Sequence, residues 1–133
     1  MTQTALALAK LAPDPVPAGD LCERVRQVAK TSLSPLIDAI DKGEIYPEAV
    51  MRALGAQGAY ASHMPVNDAA DLRQAIGAMS VVSEYCGATG FMTWCQDTLA
   101  WYVGNSGNAA LKARFLDAVS SGTMLGGTGL STR

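Results

Sequence analysis

Several residue types and patterns are scarce in this chain, and each shortage closes off a class of function. Histidine occurs once, at His63, and no motif in the sequence brings partners for catalysis or metal binding to it. A metal centre or a catalytic base at that position is therefore not expected, and the residue reads as a surface or loop histidine. Cysteine occurs three times, at Cys22, Cys86 and Cys95, an odd count without metal-type spacing. That usage points away from a disulfide scaffold and towards a reduced, cytoplasmic compartment. Basic residues are not in excess: the formal net charge is −2, so no electrostatic footprint for nucleic acid is present. No apolar run reaches the roughly 18 residues needed to span a bilayer. The opening "ALALAKLA" lacks a basic stretch before it, and Pro13, Pro15 and Pro17 follow at once. It reads as a flexible leader over residues 1–18 that ends in an extended linker, and not as a signal peptide.

Aromatic residues are also few, at 6%, although 49% of the 133 residues are hydrophobic. Alanine, leucine, valine and methionine carry most of the apolar surface, and Ala, Leu and Met lose little side-chain freedom in a helical turn. The length suits one domain with a substantial core.

The punctuation predicts about five helices. Asp20 is placed to cap the first, whose apolar positions run from Leu21 to Ile40 at helical spacing. Pro35 falls inside that pattern and should kink or split the helix near Ser34. Gly43 breaks the chain, Pro47 suits the first turn of a second helix, and that helix should end near Gly58. Asp68 can cap a third helix over 69–85, with Leu72, Ile76, Met79, Val81 and Val82 on its buried side. Its small residues Ala75, Gly77, Ala78 and Ser80 allow a close neighbour. A fourth helix over 88–103 is apolar almost all round, which predicts burial. A fifth, over 109–120, turns Leu111, Phe115, Leu116 and Val119 inward and leaves Lys112 and Arg114 on a wet face. No internal repeat is visible.

After Gly122 the segment "TMLGGTGLST" reads as extended, with no second strand to pair with. Such a ribbon exposes backbone N–H and C=O groups. It is expected to be disordered, to pair with another chain, or to open a sheet beyond Arg133. The fold class is all-α: an antiparallel helical bundle with a short C-terminal extended segment.

Four stretches carry a resemblance. They are "YPEAVMRALGAQGAYASHMP", "AIGAMSVVSEYCGATGFMTWCQ", "GNAALKARFLDAVSSGTMLGG" and "GLST". In order and spacing they resemble the N-terminal helical domain of the FAD-dependent acyl-CoA dehydrogenase superfamily, over Asp20 to Arg133. The resemblance implies a helical domain over 19–121, and over 122–133 the entry into a β domain. It also implies oxidation of the α,β carbon–carbon bond of an acyl-CoA thioester, with FAD taking the hydride, in fatty acid metabolism. The family's carboxylate base lies in a C-terminal helical domain, so no catalytic residue is expected here, and the segment alone should be inactive. By position, Leu130 and Ser131 stand where the family touches the flavin ring. Phe91, Trp94, Cys95 and Gln96 are the candidates for the acyl pocket. The partners implied are an acyl-CoA or related small molecule, an electron-transfer protein and further copies of the chain; no metal is implied.

Departures from the pattern bear on the substrate. Thr132 and Arg133 stand where the family has Glu-Pro, and "VNDAAD" follows Pro65 where a Gly-Gly-x-Gly loop is usual. A common fatty acyl-CoA is then not the only reading, and related flavin monooxygenases and nitroalkane oxidases stay open. So do a stand-alone helical interaction module and a small-ligand binder around Trp94 and Gln96. Plainer readings sit beside these. Phe91, Trp94, Trp101 and Tyr102 suit core packing, because aromatic rings dominate cores. Cys95 suits a small hydrophobe. The "GGTG" at 126–129 lacks the ending of a phosphate loop.

Overall fold

The computed structural model describes residues 20–64, 72–127 and 129. The first rod begins at α1, Leu21–Val28, where the Asp20 carboxylate accepts the Cys22 N–H at 2.9 Å. Pro35 offers no N–H and its ring crowds the preceding turn. The rod answers by widening over Ala29–Leu33, where the Ser34 N–H reaches back to the Ala29 carbonyl. It then tightens over Ser34–Leu36 and resumes as α2, Ile37–Asp41. The expected split near Ser34 is therefore present, and its cause is the proline.

α3 covers Glu48–Ala56, with Pro47 one position ahead of it as N-cap and not in its first turn. α4 covers Leu72–Tyr85, α5 Gly87–Gly104 and α6 Ala109–Ser120. The Asp68 cap and the first residues of the third expected helix lie outside the described residues. Asn108 starts α6 by accepting the Leu111 N–H at 3.0 Å. With α1 and α2 counted as one broken rod, the described residues form five helices and no strand; the chain is all-α.

Only Cys86 separates α4 from α5. Ser83 lies against Gly90, while the far ends of the two helices, from Ala75 to Trp101, line one pocket. The pair is therefore an antiparallel hairpin. α6 returns along α5, with Val119 bonded to Gln96 and Leu116 beside Gly104.

The core lies between the first rod, α3 and α4. Leu21, Val25, Ala29 and Leu33 meet Val50, Leu54, Tyr60, Ala78 and Val82, all buried. Tyr60 donates its hydroxyl to the Met51 carbonyl at 2.8 Å, so its polar tip is satisfied inside; burial pushes its pKa well above the ordinary tyrosine value. The small stripe on α4 works as anticipated: a Cβ on Gly77 would stand 2.8 Å from Cys22 Sγ. The larger residues do not. Val81 and Val82 are buried, but Leu72 and Ile76 are more than half exposed and Met79 is partly so. The small residues let the first rod come close, and that approach rotates the long side chains out of the core.

Gly122 ends α6 with φ 75, a conformation that suits glycine. Its Cα also packs on α3: a Cβ on Gly55 would lie 2.7 Å from it. This backbone-to-backbone contact fixes where the chain leaves the bundle.

Candidate functional site

α5 is turned inside out relative to its composition. Thr89, Thr93, Gln96, Asp97 and Ala100 are buried, at the i, i+4, i+7, i+8 spacing of one helical face. Phe91 is 64% exposed, Tyr102 51% and Trp94 44%. The expected burial of the whole helix, and core packing for those three rings, are therefore corrected. The reason is hydrogen bonding: each buried polar group of this face, Asp97 apart, has a partner the interior supplies. Thr93 donates to the Thr89 carbonyl at 2.9 Å, and Thr89 donates to Cys86 Sγ at 3.3 Å.

Gln96 does the most. Its amide nitrogen donates to the Val119 and Met124 carbonyls at 2.8 and 2.9 Å, and its oxygen accepts the Gly126 N–H at 2.9 Å. The Met124 N–H is taken by the Ala118 carbonyl at 2.9 Å. Arg52 donates to the Gly122 and Thr123 carbonyls. Of the ribbon expected to lack partners over Met124–Ser131, the Met124 and Gly126 backbone groups are thus held by side chains and turns of the same chain, while Leu130 and Ser131 lie outside the described residues. These bonds do the work of an adjacent strand.

The four sequence-derived pocket residues do not meet in one place. Cys95 and Gln96 lie under the ribbon, where a Cβ on Gly127 would stand 3.7 Å from Cys95 Cβ. Phe91 and Trp94 pair on the open side, with ring centroids 5.6 Å apart. Leu130 and Ser131 lie outside the described residues. Cys22, Cys86 and Cys95 are all free thiols.

A cavity lies between α4 and α5. Its volume is about 220 Å³, below the usual span for drug-sized ligands. Ile76, Trp94, Trp101 and Tyr102 contribute apolar and aromatic wall, and His63 and Asp97 contribute the polar part. His63 belongs to the turn after α3, as a loop histidine should, but it is buried, and that corrects the surface reading. It also has an acidic partner that sequence proximity did not show. Its ring stacks on Trp101 at 5.9 Å and 25°.

The proton arrangement follows from the partners. His63 Nε2 lies 3.0 Å from the Asp97 backbone carbonyl, which can only accept, so Nε2 carries a hydrogen. Nδ1 then faces Asp97 Oδ1 at 3.4 Å, beyond a good hydrogen bond. Nδ1 and both Asp97 oxygens are buried without a hydrogen-bond partner. Burial pushes the Asp97 carboxyl up to about 8. Burial also lowers the His63 pKa, and the bond to the Asp97 carbonyl only partly opposes it. At neutral pH the pair is uncharged, with a proton on Asp97 and a bare nitrogen on His63. The signal for Asp97 was present in sequence, since Thr89, Thr93, Gln96 and Asp97 share one stripe. His63 gave none, because its partner is on another helix.

The family pattern described as "Acyl-CoA dehydrogenase, N-terminal domain" matches residues 19–123. The chain belongs to the acyl-CoA dehydrogenase family. That match spans the first rod, α3, the α4–α5 hairpin and α6, and so contains the His63–Asp97 cavity and Gln96 itself, while Met124 and Gly126, which Gln96 holds, follow it. No curated protein and no solved structure matches the chain. Among the described residues of this acyl-CoA dehydrogenase domain, no helix is long and apolar enough to cross a membrane.

Proposed function

We propose that the chain is the N-terminal helical part of an FAD-dependent acyl-CoA dehydrogenase-like oxidoreductase. The enzyme oxidises the α,β carbon–carbon bond of an acyl-CoA thioester. The observation that supports this reading is the family match over residues 19–123. When bound, FAD accepts the hydride in such a reaction. The flavin contacts assigned by resemblance, Leu130 and Ser131, fall outside the described residues.

This segment contributes one wall of the acyl pocket. Phe91 and Trp94 stand on its open rim, Cys95 at its edge, and Gln96 acts from beneath by fixing the ribbon that leads to Leu130 and Ser131. The base is supplied from outside this segment, so the segment alone is inactive. A chimera tests the reading: residues 19–123 replace the corresponding domain of a characterised acyl-CoA dehydrogenase. Retained flavin and acyl-CoA-dependent dye reduction are expected. A folded chimera that keeps flavin but loses every acyl-CoA turnover would refute the acyl-CoA assignment.

One surface observation supports a partner role as well. Leu72, Ile76, Phe91 and Tyr102 are each more than half exposed, all on α4 and α5. Apolar groups gathered on one hairpin favour cover by protein, and a second copy of the chain is the proposed cover. Mass measurement in solution reads this directly, and a strict monomer at all concentrations counts against it.

A further inference from the structure

Just beneath the wall of the cavity between α4 and α5 lie two neighbouring acceptors for which no described residue supplies a donor. His63 Nδ1 and Asp97 Oδ1 are 3.4 Å apart, and the second Asp97 oxygen is equally unpartnered. The side chains are only 4% and 6% exposed, so bulk water does not satisfy these atoms. A buried acceptor without a donor is costly. A single proton can serve one of the three atoms at a time. A group with several N–H donors on one atom can serve two or three at once.

The remaining wall narrows the chemistry. Trp94, Trp101 and Tyr102 surround the approach, and aromatic faces attract organic cations. Among the described residues, no Lys or Arg lines the cavity. The volume of about 220 Å³ admits a small molecule only.

We propose that this cavity binds a small primary ammonium ion on an aryl body, with its N–H groups bridging His63 Nδ1 and the Asp97 carboxylate and its ring packed on Trp94 and Trp101. Binding turns the covered carboxylate towards the cavity and leaves it ionised, with the ligand's charge beside it. The site shares Trp94 with the rim of the proposed acyl wall, but its polar pair, His63 and Asp97, belongs to no part of that wall, and the inference does not rest on that reading.

Trp94 and Trp101 are the only two tryptophans in the chain, and both line the cavity, so intrinsic fluorescence reports occupancy directly. The probes are benzylamine, benzyltrimethylammonium and benzyl alcohol. They share a ring and differ in N–H donors and charge. Saturable quenching by benzylamine is expected, with the other two at least about tenfold weaker. Equal response to benzylamine and benzyltrimethylammonium would mean that the rings alone select a cation, and would overturn the bridging arrangement. Absence of saturable quenching by benzylamine at millimolar concentration would overturn the site itself.

Two variants complete the test. Asp97→Asn keeps the shape and removes the charge, and benzylamine affinity should fall at least about tenfold. Ile76→Trp fills the cavity from the exposed side of α4 and should abolish binding with little change in melting temperature; because it adds a tryptophan, its benzylamine binding is read by calorimetry. Unchanged benzylamine affinity in folded Asp97→Asn, or in Ile76→Trp, refutes the proposal. The probe series on the unmodified chain decides the matter even if Asp97→Asn does not fold.

Discussion

Gln96 holds the Gly126 backbone amide at 2.9 Å from within a helix, as a neighbouring strand would. The same side chain also donates to the carbonyls of Val119 and Met124. One residue on α5 thereby joins the end of α6 to the ribbon that follows.

Replacing Gln96 by Leu leaves two carbonyls and one N–H without these partners. At about 1–3 kcal/mol per buried orphan, a loss of about 3 kcal/mol in urea unfolding is expected. Hydrogen exchange at Gly126 should accelerate by more than the global loss alone explains. Gln96→Glu keeps the acceptor but puts a carboxylate against two carbonyls. It should be at least as destabilising at neutral pH.

The contact between Gly55 and Gly122 predicts a second sensitive point. A methyl group on Gly55 meets backbone at 2.7 Å, where no side chain can swing aside. Gly55→Ala should cost about 2 kcal/mol or more by overpacking, despite the better helix propensity of alanine. Thermal unfolding measures it, and a gain in stability would contradict the close approach.

The His63–Asp97 pair predicts an unusual pH profile. Asp97 has its folded pKa raised to about 8, so folding favours its protonated form. Its contribution is complete below the unfolded carboxyl value and is lost as pH rises through about 8. His63 has its folded pKa lowered from 6.5, so it works in the opposite sense: the unfolded chain gains protons below 6.5 and stability falls there. Below that point the two slopes offset each other. Between about 6.5 and 8 only Asp97 acts, and stability should fall by up to about 1.4 kcal/mol per pH unit. Tyr60, the other titrating group that senses Asp97, ionises far above this window. Urea midpoints across the window measure the slope, and Asp97→Asn should flatten it.

Phe91 supplies the contrasting case. It is 64% exposed and its ring contact is with Trp94. Phe91→Ser should change stability by no more than about 0.5 kcal/mol, while reducing the binding of an apolar dye. A large loss of stability would place the ring in a core it does not occupy here.

Local chemistry was readable from the sequence where a single residue decides the backbone. Asp20 caps, Pro35 breaks a rod, and Gly122 stops α6, each through its own side chain or lack of one. The limits of α6 follow from the same reasoning. The orientation of α5 was not readable in this way. Apolar pattern assigns the inside by hydrophobicity, whereas here Gln96, Thr89 and Thr93 are drawn in by partners on α6, the ribbon and the helix's own turns. The Val119, Met124 and Gly126 partners become neighbours only after the chain folds back in the turn between α5 and α6. His63 and Asp97 are 34 positions apart, and nothing local links a turn residue to a helix that begins well downstream. The exposed positions of Leu72 and Ile76 were missed for a related reason. The small residues of α4 decide which face the first rod can approach, and their neighbours are displaced as a result.

The single residue between α4 and α5 has a mechanical consequence. With Cys86 alone joining them, the two helices have no slack with which to slide past each other. Any widening must be a pivot about that point, like the opening of tongs, with Ser83 and Gly90 scarcely separating and Leu72 and Tyr102 moving furthest.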